Sequence, residues 1–305
     1  MTSAPSQAAA LIAFRPAHEF FVGIDSDGCA FDAMDLKHKE CFTPSTIRYW
    51  GLQAVSTLAR ETAEFVNLYS VYRGQNRWIA LLKVLELLAD RPEVVERGVE
   101  VSRGRKIDEF IRSGYPLSSD GLLEYAALHP DPELNRALAW SAGVDAAIAD
   151  MVTGVPPFAG VRESLQAMRG SVDLMVVSAT PVAALDREWG EHGLTSLVDV
   201  IAGQEMGTKA QHLQFATSGR YAADHVLLIG DAPGDRDAAA SQGALFYPIN
   251  PGHEAESWHR FRTEALPRFL DRSYAGSYQA SLVAEFDALL PSTPPWQLPV
   301  QASAG

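Results

Sequence analysis

Cysteine is scarce: Cys29 and Cys41 are the only two in a chain of 305 residues. So sparse a pair, in a chain long enough to bury its own core, does not form a disulfide framework and points to a reducing compartment. Positive charge is also short. Lys and Arg number 25 against 38 Asp and Glu, a formal net charge of −13. No overall field is present to hold nucleic acid or an anionic membrane, and neither is expected as a partner. No apolar run approaches the roughly 18 to 20 residues of a membrane-spanning helix. The AAALIAF stretch near the N-terminus is too short for a secretory signal and lacks a basic flank before it, so a cytoplasmic location is expected. There are no internal repeats.

What the chain does have is 47% hydrophobic composition in two textures. The stretch FFVGIDSDGCAFD opens with an apolar run, Phe20 to Ile24, that reads as a buried strand ending at Asp25 and Asp27. From Asp32 to about Gly154 no strand pattern follows. TPSTIRYWGLQAVSTLARETAEFVNLYS and NRWIALLKVLELLA both read as long helices, and Asp131-Pro132-Glu133 is a helix start with a cap, a proline and an acid in the first turn. Beyond Pro156-Pro157, helices alternate with the short apolar runs DLMVVS, LVDVIAG, HVLLIGD and ALFYPI, which predicts a parallel sheet. The expected fold class is α/β: a doubly wound parallel sheet with an inserted all-helical cap. Its parts are a flexible leader (1–17), a core (18–32 and 155–290), a cap (33–154) and a proline-rich tail (291–305).

Several of these runs end in polar residues. DLMVVS ends at Ser178, HVLLIGD ends at Asp231 with Asp235 four residues on, and Lys209 opens an intervening helix. In a parallel sheet these ends share one edge, which would gather Asp25, Asp27, Ser178, Lys209, Asp231 and Asp235 in a single crevice. Four carboxylates and one lysine ask for a hard cation, and Mg²⁺ is the expected cofactor.

Taken in order, DSDG, the SAT of VVSATP, GTKAQ and GDAPGD resemble the four motifs of the haloacid-dehalogenase-like hydrolase superfamily, over about Phe20 to Pro251. The helical insertion resembles the cap of its phosphoglycolate-phosphatase-like and β-phosphoglucomutase-like branch. The resemblance implies a Rossmann-like core and a Mg²⁺-dependent phosphatase acting on a small phosphorylated metabolite. Asp25 would attack phosphorus to form an aspartyl-phosphate, and Asp27 would act as acid and then base. Ser178 and the backbone near Asp27 and Ala179 would bind phosphoryl oxygens. Asp25, Asp231 and the Asp27 carbonyl would hold the metal, with Lys209 beside it. Asp235 would orient Lys209 or a metal-bound water, or serve only as a helix N-terminal acid. The chemistry needs such cations, since a carboxylate approaching a phosphate meets repulsion of about 4 kcal/mol per charge pair at close range. Two alternatives stay open: a phosphosugar mutase using the same residues, and a non-catalytic ligand-binding relative. Monomer and homodimer are both open.

For substrate selection the basic groups in the insertion stand out. Lys37 and His38, with Lys39, follow the first motif, and Arg73, Asn76 and Arg77 sit at a break between two helices. An arginine pair there would suit a second anionic group on the substrate; the plainer alternative for both groups is a solvated helix end. Cys29 reads as an apolar filler.

Overall fold

The computed structural model describes residues 8–298. Five parallel strands form one sheet in the order β3-β2-β1-β4-β5: β1 (Phe20–Ile24), β2 (Val172–Val177), β3 (Val200–Ala202), β4 (Val226–Gly230) and β5 (Leu245–Pro248). Strands β1, β2 and β4 are buried at every position, which is why they read as continuous apolar runs rather than alternating ones. Because β1 pairs with β2 on one side and β4 on the other, the strand order reverses between β1 and β4. Their carboxyl ends therefore open the crevice in which this architecture places its ligands. Asp173, the acid within β2, lies toward the opposite end. It accepts hydrogen bonds from the N–H groups of Ala17 and His18 and from the Tyr221 hydroxyl.

The chain divides into two compact units. The first takes the chain up to Met34 and Thr153–Leu289; the second takes Asp35–Val152 and the chain from Leu290 on. The first unit packs its core around the sheet, with Phe31, Trp189, Trp258 and Phe261 among the fully buried side chains. The second is helical and centres on Trp78, Phe110, Leu122 and Trp140. Trp78 and Trp140 meet edge to face at 5.6 Å, and the Trp140 indole donates to Thr46 Oγ1 at 3.0 Å. The helix Pro132–Met151 begins as read, with the Asp131 carboxylate accepting from Glu133 N.

Four elements differ from the sequence reading. The segment read as one long helix from Thr43 breaks at Trp50-Gly51. Gly51 takes a left-handed φ of 70° and Leu52 N donates to Ile47 O, the C-terminal stop in which a glycine turns the chain under the last carbonyls. A second helix then runs Ser56–Leu68. Helical structure also starts before Thr43, at Ala33, and passes through a π-turn, Lys37–Phe42. The same pattern recurs late in the chain, where the π-turn Phe261–Ala265 joins two helical pieces. Each wide turn ends two residues before a helical proline, Pro44 or Pro267, whose missing N–H and bulky ring the regular ladder does not tolerate. Strand β3 is shorter than LVDVIAG because Thr195–Leu197 forms a 3₁₀ turn and the Asp199 carboxylate takes the Leu174 amide.

The segments read as flexible leader and tail are ordered in part. Ala9–Ala13 forms a short helix with Leu11 buried. At the other end Val71 N donates to Pro291 O, and Trp296 lies edge-on to Phe65 and under the Arg91 guanidinium, 4.3 Å from its ring centroid. Residues 1–7 and 299–305 lie outside the described residues. Among the described residues no helix is long and apolar enough to cross a membrane, and Cys29 and Cys41 are free and buried.

One buried group makes stability pH-dependent. His212, on the helix Lys209–Thr217, is fully buried, and burial lowers its pKa from 6.5 to about 4. Between those values the unfolded chain takes a proton that the folded chain refuses. The contribution of His212 is therefore complete above pH 6.5 and is lost as the pH drops toward 4, by up to about 3 kcal/mol. Urea denaturation across that window should show the slope in the wild type and a flatter one in His212→Leu.

Candidate active site

Asp25 follows the last residue of β1, and its backbone N–H continues the ladder to Ile229 O. Its two oxygens have separate partners. Oδ1 accepts from Ser26 N at 2.8 Å and Oδ2 accepts from Lys209 Nζ at 2.7 Å. Lys209 is the first residue of its helix, which Thr208 caps in a reciprocal arrangement with Gln211. Its ammonium also reaches Asp235 Oδ1, and the other Asp235 oxygen accepts from Ala232 N at 3.1 Å. Asp231, directly after β4, is fully buried. Carboxylate oxygens of Asp25, Asp231 and Asp235 lie within 4.8 Å of one another.

Asp25 and Asp235 thus share the Lys209 ammonium, with the buried Asp231 carboxylate beside them. Burial raises the Asp25 pKa well above the usual carboxylate range, and the charges of Asp235 and Asp231 push it the same way against the opposing pull of Lys209. Burial opposes the charge of Lys209 too, but Asp235 and Asp25 more than offset it and hold its pKa above the ordinary lysine value. The donor set consists of hard carboxylate oxygens without histidine or thiolate, which fits Mg²⁺.

Asp27 stands apart from this group. It is half-buried, and its Oδ2 accepts from Thr180 Oγ1 at 2.8 Å. Gly28, at φ 77°, turns the chain so that Gly28 N donates to Phe31 O. Ser178 is buried, with Oγ accepting from Thr180 N at 3.2 Å, and Ala179 is exposed. Cys29 is buried beneath the loop, and burial raises its thiol pKa well above the ordinary value, which suits a filler rather than a nucleophile.

The other sequence candidates belong to the helical unit. Lys37 and His38 lie in the π-turn, where the His38 ring stacks on Phe42 at 4.7 Å. Arg73 is buried and donates to Leu68 O at 2.9 Å, closing the end of a helix. Asn76 caps the next helix, accepting from Trp78 N and donating to Leu117 O. Arg77 donates to Ser141 Oγ and Asp145 Oδ1, both at 2.8 Å. The break between the two helices is thus where Arg73 and Asn76 serve the ends of those helices and Arg77 ties a third to them.

Sequence reasoning missed Ser26, Glu188, Trp189 and Gly230. The Ser26 hydroxyl bonds to Glu188 and Trp189. Gly230 leaves room for Asp235, since a Cβ there would fall 2.4 Å from the Asp235 side chain. Gly230→Ala is expected to push Asp235 off Lys209 and cost about 2 kcal/mol of stability, read by urea denaturation. The signal for Gly230 was its place at the end of a buried strand; Ser26, inside an acidic loop, gave none.

No protein-family model matches the chain, and no curated protein matches it significantly. Solved structures resemble it at low identity. A haloacid-dehalogenase-like hydrolase from Xanthomonas campestris is 15% identical, with 85% of this chain and 94% of that one covered and a TM-score of 0.43. A haloacid-dehalogenase-like family hydrolase from Streptococcus pneumoniae is 15% identical, covering 82% and 98%, with a TM-score of 0.44. A predicted phosphoglycolate phosphatase from Haemophilus somnus is 12% identical, covering 76% and 86%, with a TM-score of 0.46. At these values no residue role passes from them to this chain. The solved structures it resembles thus include haloacid-dehalogenase-like hydrolases, a predicted phosphoglycolate phosphatase and a β-phosphoglucomutase-like protein.

Proposed function

We propose that this chain is a Mg²⁺-dependent phosphatase of the haloacid-dehalogenase-like kind, hydrolysing a small phosphomonoester through an aspartyl-phosphate on Asp25. The observation that supports it most is the separation of the two acids. Asp25 sits with Asp231, Asp235 and Lys209, while Asp27, two residues on, keeps its carboxylate out of that group and against Thr180.

Asp25, Asp231 and the Asp27 backbone carbonyl would hold the metal, with Asp235 keeping Lys209 in place. When bound, Mg²⁺ supplies positive charge that offsets the charge on the phosphoryl oxygens. Asp25 forms a bond to phosphorus as the ester P–O bond breaks, and Asp27 gives its proton to the departing alkoxide. Asp27 then takes a proton from water, which attacks phosphorus, and the acyl–phosphate P–O bond breaks to free phosphate and Asp25. Lys209, Ser178 and the N–H of Ala179 bind the phosphoryl oxygens throughout. An acid at position 27 suits an alkoxide leaving group, which needs a proton, rather than a halide, which does not. The two unpaired thiols fit a reducing, cytoplasmic setting.

The test is phosphate release from a panel of phosphosugars, phosphoglycolate, nucleotides and acid phosphates, with Mg²⁺ and with chelator. Release that requires Mg²⁺ supports the reading. Isomerised phosphosugar without free phosphate would replace it with a mutase, and inertness to the whole panel with no Mg²⁺-dependent binding of beryllium fluoride would leave a non-catalytic relative. Lys37 and His38 are the proposed substrate-sensing pair, with Arg73, Asn76 and Arg77 as further candidates. The contacts of Asn76 and Arg77 predict that their alanine variants lower stability more than they reorder the panel, whereas a panel reordered by Arg73→Ala would support a substrate contact there.

A further inference from the structure

We propose that Glu188 is a positioning residue for the acid pair, acting through Ser26. The proposal rests on the phosphatase reading for its kinetic consequence, and on hydrogen-bond direction for its structural one.

Ser26 lies between Asp25 and Asp27 and is fully buried. Its Oγ is 3.0 Å from Trp189 Nε1 and 2.9 Å from Glu188 Oε2. An indole N–H can only donate, so the serine oxygen accepts from Trp189 and its single hydrogen goes to Glu188. That assignment locks the side chain in one rotamer. The backbone of Ser26 is used as fully. Its N–H donates to Asp25 Oδ1 at 2.8 Å, and its carbonyl accepts from the N–H groups of Cys29, Ala30 and Phe31. Ser26 is therefore the fixed point from which the nucleophile is aimed on one side and the turn carrying Asp27 is built on the other.

Glu188 and Trp189 lie on the helix Val182–Glu191, which follows Thr180, the residue whose hydroxyl holds the Asp27 carboxylate. One segment after β2 thus grips the acid loop twice, at Asp27 through Thr180 and at Ser26 through Glu188 and Trp189. Lys209 bonds to Asp25, the loop's first acid, from the other side. As a carboxylate, Glu188 accepts the serine hydrogen in a charge-assisted bond stronger than a neutral acceptor gives.

The full chain carrying Glu188→Ala, Glu188→Gln or Trp189→Phe is assayed with p-nitrophenyl phosphate and Mg²⁺, and amide hydrogen exchange is followed at Cys29, Ala30 and Phe31. Glu188→Ala should lower kcat about tenfold with KM changed less than about threefold, and should speed exchange at those amides. Glu188→Gln, whose amide oxygen still accepts from Ser26, should return both to within about threefold of wild type. Trp189→Phe should resemble Glu188→Ala in both readouts. Lowered thermal stability with kcat and exchange unchanged would overturn the proposal, as would a loss confined to KM or an equal loss in the Ala and Gln variants. A wild type without phosphatase activity would sink the reading of function instead, and exchange at the three amides would then decide the role of Glu188 by itself.

Discussion

Asp25→Asn is expected to lower kcat on a phosphomonoester by about 10⁴-fold or more while leaving the fold intact. The substitution keeps shape and removes charge. An amide oxygen can still accept from Ser26 N, but it is too weak a nucleophile to displace an alkoxide from phosphorus. The change also removes one of the three carboxylates near the proposed metal position, so Mg²⁺ binding should weaken in the same variant. Stability should move little, because burial already disfavours the ionised form of Asp25 and Lys209 keeps Asp235. Phosphate release and the thermal midpoint, measured on the same preparation, check both halves. Residual kcat above about a hundredth of wild type would rule out attack by Asp25.

Lys209→Met should do the reverse, damaging the fold as well as turnover. Its ammonium joins Asp25 and Asp235, and without it those two buried carboxylates lose the ion pairs that hold them together. Breaking such an arrangement from one side costs about 3–5 kcal/mol, and losing a cation on the phosphoryl group costs on the order of 10²–10³ in kcat. The two effects separate on adding metal. Millimolar Mg²⁺ should restore part of the stability, by supplying positive charge to the same oxygens, without restoring the rate. Urea denaturation with and without Mg²⁺ reads the first. A metal-free variant as stable as wild type would mean that the carboxylates are not in electrostatic conflict.

The architecture was legible wherever burial is two-sided. FFVGI and VLLIG carry no alternation because both faces are covered, and what ends them is an acid. That alone points Asp25 and Asp231 to one edge of a parallel sheet, and the observed order puts their strands side by side. Legibility failed where one side chain replaces a backbone partner. Asp199 shortens β3 by taking an amide that the ladder would use. Arg73 reads as a loop residue, and its hydrogen bond to Leu68 O gives it a place at a helix end that periodicity does not report. Ser26 was invisible for the same reason. Periodicity tells which face is buried, whereas the partner of a single polar atom depends on chain brought in from far away, here from position 188. Gly51 is a different kind of miss, since its stop signal is local and was present in the sequence.

The ring of Trp296 has a consequence for how the helical unit could be exchanged between proteins. A plain insertion has two splice points, one where the chain enters and one where it leaves. This unit has a third, because the chain returns to it from Leu290 on and seats Trp296 against Phe65 and Arg91. Residues 35–152 moved alone into another core would lose that covering and bare the patch formed by Ala63, Phe65, Val66, Ala80, Val84 and Leu87. The portable piece is the insertion together with a C-terminal stretch encoded more than a hundred codons downstream. Changes at Arg91 and Trp296 should accordingly be non-additive in a double-mutant cycle, and a lineage that trimmed the terminus would have to repolarise that patch.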